Sequence, residues 1–79
     1  MIGVSFNIKY DDTYSERYAK FHEAMKAFGI IESRTTSCLF LSTDDAKAVD
    51  LALYGCLNYA KDKAIVFTTY QHTFINFGP

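Results

Sequence analysis

From Ile2 to Tyr10 the chain alternates: Ile2, Val4, Phe6, Ile8 and Tyr10 fall on one side, Gly3, Ser5, Asn7 and Lys9 on the other. A period of two predicts a half-buried strand over residues 2–10. Asp11-Asp12-Thr13 then supplies turn chemistry, and Thr13-Tyr14-Ser15-Glu16 has the spacing of a capping box, so a helix is predicted from near Thr13. Within it Tyr14, Tyr18, Phe21, Met25 and Phe28 recur at helical intervals and form one apolar stripe, opposite a solvated face of Arg17, Lys20, Glu23 and Lys26. Gly29 stands where a left-handed helix cap is wanted.

Two short strands follow at 30–34 and 37–41, joined by Thr35-Thr36, neither a favoured residue for a tight primed turn. Ser42-Thr43-Asp44-Asp45 is a second helix start, with acids in the first turn where the helix dipole favours them. That helix is predicted to run to about Asp62, burying Ala46, Val49, Leu53, Cys56 or Leu57, and Ala60. A β-branched and aromatic strand covers 64–70, and Phe74-Ile75-Asn76-Phe77 adds a C-terminal strand. The order β-α-β-β-α-β predicts an α+β, ferredoxin-like fold. Its two crossovers put both helices on one face of an antiparallel sheet, and Gly3, Ser5 and Asn7 on the open face.

With 79 residues the chain is expected to form one domain, 1–79. Thirteen residues are Phe or Tyr, which favours a packed core over disorder. At this length folding buries only about 60–65% of the unfolded surface, so a monomer is marginal and a homodimer is expected. Eight Lys and Arg against nine Asp and Glu exclude a generic polycationic nucleic-acid binder. Cys38 and Cys56 lack zinc-like spacing and read as buried thiols. The N-terminus has no basic leader and no apolar run exceeds four residues, so neither export nor a membrane span is expected and a cytoplasmic location fits.

Few residues carry recognisable chemistry. The four glycines match no phosphate-cradling spacing, and His22, off the apolar stripe, reads as solvated. His72, between Tyr70 and Thr73, is a candidate general base for metal-free RNA cleavage. The second helix has more apolar surface than one face can use: Leu51, Tyr54 and Tyr59 project elsewhere, and surplus aromatic surface of this kind marks a partner or dimer interface. Phe74, Ile75 and Phe77 on the tail strand make the same argument, because an uncovered apolar edge invites a second chain.

Val4-Ser5-Phe6-Asn7-Ile8, Thr36-Ser37-Cys38-Leu39-Phe40-Leu41 and the helix after Thr43-Asp44 resemble the small ferredoxin-like nucleases. That group contains the VapD toxin ribonucleases, the GhoS antitoxin ribonuclease and the small CRISPR-associated adaptation nuclease. The resemblance implies pairing by strand exchange or sheet-on-sheet packing, and a carboxylate ending the first strand as the group that supports phosphodiester cleavage. Asn7 stands at that position. A carboxamide supplies a dipole but no charge to a Mg²⁺ ion. Asp11 and Asp12 are the nearby acids that could serve as metal ligands, and Asn7, Asp11 and His72 the candidate catalytic residues. The expected function is therefore a non-catalytic dimeric protein, without cofactor, that regulates or inhibits a protein partner in phage–host conflict or toxin–antitoxin control. A Mg²⁺-dependent endoribonuclease and a passive RNA-binding subunit are the alternatives.

Overall fold

The computed structural model describes residues 1–32 and 37–69. Six elements follow in the order β1 (Ile2–Asn7), α1 (Tyr14–Lys26), β2 (Ile30–Glu32), β3 (Cys38–Leu41), α2 (Ala46–Cys56) and β4 (Lys63–Thr68). The strands form one sheet, ordered β2-β3-β1-β4, with every neighbouring pair antiparallel. This is the expected α+β, ferredoxin-like arrangement, with both helices on one face. The alternation in β1 drives it: Ile2, Val4 and Phe6 turn inward and are buried, as are Leu39 and Leu41 from β3. Phe21 and Met25 of α1 and Val49, Leu53 and Cys56 of α2 close over them. The expected turn at Thr35-Thr36 and the expected tail strand at 74–77 lie outside the described residues.

Local chemistry corrects several expectations. β1 stops at Asn7, and Tyr10 is 86% exposed rather than part of the inward row. The capping box at Thr13 does not form: Thr13 starts α1 without a side-chain cap. Its amide and hydroxyl donate instead to the Asp11 carboxylate, at 3.0 and 3.2 Å. Arg17 is not on the solvated face; it is 9% exposed. α2 ends at Cys56, well short of Asp62, because the chain extends at Leu57 and then turns through Asn58–Lys61. Ala60 is consequently exposed and off the stripe. The acid that starts α2 is the cap itself: Asp45 accepts the Ala48 amide at 3.0 Å, and no acid lies in the first turn.

Gly29 meets its expectation, with φ of +80° after α1. Any Cβ there would overlap Ser42 Oγ, which donates to the Phe28 carbonyl at 2.9 Å and so ties the end of α1 to the end of β3. On the open face Gly3 lies between Phe40 and Phe67, its partners across β3 and β4. The Phe67 ring occupies the space over Gly3 and meets Phe40 edge-on at 6.3 Å, an aromatic covering of a strand glycine.

Candidate functional site

Two neighbouring regions carry the unusual chemistry. The first is a charged hub between the loop after β1 and the loop before β4. Arg17 reaches from the first turn of α1 and forks onto Asp62, with Nε to Oδ2 at 2.9 Å and Nη2 to Oδ1 at 3.3 Å. Nη2 also donates to the Lys9 carbonyl at 2.9 Å, and Nη1 to Asp11 at 3.1 Å and to the Thr13 hydroxyl. Asp62 in turn accepts the amides of Lys9 at 2.9 Å and Asn58 at 2.8 Å. Lys61 Nζ closes the outer side on Asp11 at 3.0 Å. A buried charge is tolerable only when paired and fully hydrogen-bonded, and here both loops donate or accept until the guanidinium and the carboxylate are satisfied.

The hub fixes the charge of its acids. The Lys61 ammonium, together with Arg17 and Thr13, holds the Asp11 carboxyl well below the usual carboxylate range. Burial pushes Asp62 up, but the Asn58 amide, Arg17 and the Lys9 amide outweigh it and the net shift is downward. Burial raises both thiols, Cys38 and Cys56, and the Asp62 charge adds to the effect at Cys56. Neither is bonded to the other.

The second region is a groove of about 840 Å³ between the end of α2 and the outer edge of β4. Leu53, Tyr54, Leu57, Tyr59 and Ile65 form its apolar walls, with Asp50 and Lys63 among the charged residues lining it. Tyr54 and Tyr59 are stacked, with centroids 5.9 Å apart and planes 16° from parallel. They remain 63% and 85% exposed, and Ile65 is 67% exposed. Leu51, one turn before Tyr54, is 62% exposed on the same helix. Of the three described residues expected to form an interface, Tyr54 and Tyr59 therefore line this groove, Leu51 lies outside its lining, and Ile65 joins from β4.

Asn7 sits at the end of β1, exposed, paired across the sheet with Lys63. It also lines a small cavity of about 220 Å³ with Phe6, Ile8, Tyr14, Tyr18 and Ser37. Asp12 is exposed beside Asp11 and takes no part in the hub's hydrogen bonds. Among the described residues no three His, Cys, Asp or Glu side chains converge in a way that could hold a metal ion. His22 is half-buried against Tyr18 and Phe21, with ring centroids 4.8 and 5.9 Å away, rather than solvated. His72, Phe74, Ile75 and Phe77 lie outside the described residues. Sequence reasoning missed the Arg17–Asp62 pair; the only available signal was the cluster of Asp, Thr and Lys in the two loops that flank it.

The fold has solved counterparts. Cas2 of Streptococcus pyogenes superposes with a TM-score of 0.77 over 98% of both chains, at 11% identity. A hypothetical protein of Thermus thermophilus does so at 0.69, covering 99% of this chain and 92% of its own, at 21% identity. At these identities the likeness is one of fold. No family model and no curated protein matches the chain. Among the described residues no helix is long and apolar enough to cross a membrane.

Proposed function

We propose that this chain is a dimeric interaction protein that regulates or inhibits a protein partner, built on a nuclease-type scaffold without using it for catalysis. The observation that carries this reading is the state of the acids around Asn7. The strand-end position holds a neutral carboxamide opposite Lys63, and Asp11, four residues on, is held by Arg17 and Lys61. A cation placed there would have to displace two basic side chains.

The occupant of the α2–β4 groove in this reading is a second copy of the chain. The exposed fractions of Tyr54, Tyr59 and Ile65 amount to roughly 430 Å² of surface, about half of what each partner contributes to a stable interface. Near-zero net charge leaves no homotypic repulsion to oppose it. The ten residues after Thr69 include Phe74, Ile75 and Phe77, and exchange of this tail between copies would supply the remaining contact.

Purified protein incubated with single- and double-stranded RNA, with and without Mg²⁺, tests the absence of catalysis. No metal-dependent cleavage is expected. Cleavage that requires Mg²⁺ and disappears in Asp11→Ala would overturn the reading in favour of an endoribonuclease. Steeply salt-dependent RNA affinity without cleavage would favour a passive RNA-binding subunit instead.

A further inference from the structure

The loop from Asn58 to Asp62 joins the two regions. Its end, Asp62, is the buried carboxylate of the hub; its second residue, Tyr59, is the most exposed ring of the groove. Between them the chain is tightly held. Asp62 accepts the Asn58 amide while its own amide returns to the Asn58 carbonyl at 2.8 Å. The Asn58 side chain accepts the Ala60 amide at 2.9 Å, and the Lys61 amide reaches the Asn58 carbonyl at 3.1 Å. Arg17 locks Asp62 from below through its fork.

Beyond its stack on Tyr54, an aromatic side chain 85% in water has no packing reason to sit on so constrained a turn. Ordering it ahead of binding has a different value, since a side chain already fixed in its bound geometry loses less entropy on association. We propose that the buried Arg17–Asp62 pair is a positioning device: it sets the 58–62 turn so that Tyr59 stands stacked on Tyr54 as a pre-formed anchor for the second copy. This rests on the dimer reading for its biological sense. Arg17 touches no partner; it acts through Asp62 and the turn. The planar fork matters because it fixes both oxygens of Asp62, each of which also receives a loop amide.

Arg17→Lys keeps the charge and removes the fork, and Arg17→Met removes both. Two readouts separate positioning from plain stability: the nuclear Overhauser contact between the Tyr54 and Tyr59 rings in dilute protein, and the dimer dissociation constant from analytical ultracentrifugation. In Arg17→Lys the ring contact should vanish and dimerisation weaken about tenfold. Tyr59→Ala should weaken it by a similar factor, and the double variant by no more than the larger single effect, because both remove the same anchor. Arg17→Met should match or exceed Arg17→Lys; if it does not fold, Arg17→Lys decides alone. Retention of the ring contact in Arg17→Lys, or factors that multiply in the double variant, would overturn the proposal. A wild type that stays monomeric defeats the dimer reading by itself, and the ring contact then still decides the positioning.

Discussion

The charged hub and the α2–β4 groove invert the usual rule in opposite directions, within a few residues of each other. In the hub an arginine and an aspartate are removed from water; in the groove two tyrosines and an isoleucine are left in it. Burying the ion pair costs desolvation that its own attraction barely offsets, so its value is geometric: it specifies where two loops stand. Leaving the aromatics outside forfeits burial that an isolated 79-residue chain can ill spare. Together they indicate that the fold is arranged around a surface it does not itself cover.

The contrast can be broken experimentally. The largest expected effect is Asp62→Ala, which strands Arg17 and two loop amides: a loss of about 3–5 kcal/mol in urea unfolding, the range for breaking one side of a buried pair. A loss below about 1 kcal/mol would mean that the hub is solvated. Acid comes next. Asp11 and Asp62 both titrate below the ordinary value of 3.8 when folded, so their stabilisation is complete above that value. It drains away as pH falls through it toward the depressed values. The urea midpoint should be flat from pH 7 to about 5 and fall steeply below about 4, and the fall should be shallower in Arg17→Met. Lys61→Ala, at the exposed rim, should change stability by no more than about 0.5 kcal/mol. Smallest is Tyr59→Ala: melting temperature unchanged within error in protein dilute enough to be monomeric, while dimerisation weakens. A clear drop in melting temperature would show that this ring belongs to the monomer's own packing.

Much of this architecture was legible before any coordinates. Strict alternation from Ile2 to Phe6 and the intervals of Phe21, Met25, Val49 and Leu53 depend only on which face meets the core, and each side chain is where its period puts it. What was not legible depends on partners distant in sequence. Arg17 shares its spacing with Lys20 and Lys26, and nothing local distinguishes it; a carboxylate 45 residues away pulls it inward. The same carboxylate fixes the turn that follows the short α2 and keeps Asn58–Lys61 from continuing as a fourth helical turn. The Thr13 hydroxyl donates to Asp11 instead of capping α1 for a comparable reason, since Asp11 is anchored by Arg17 and Lys61 and is already in place. At the site, Tyr54 and Tyr59 were readable as apolar surplus, although Tyr59 stands on the turn after α2 rather than on the helix, whereas Ile65 was hidden in a strand pattern that gave no hint which of its faces would stay wet.

Among the described residues the two border strands of the sheet are unequal. β2 is three residues long and its register against β3 shifts between Ile30 and Glu32, whereas β4 is six residues long and regularly paired. Short, irregular borders are poor templates for further strands. Were two copies to meet through their β4 sides, only these blunted rims would face outward, and a ribbon could not grow from them.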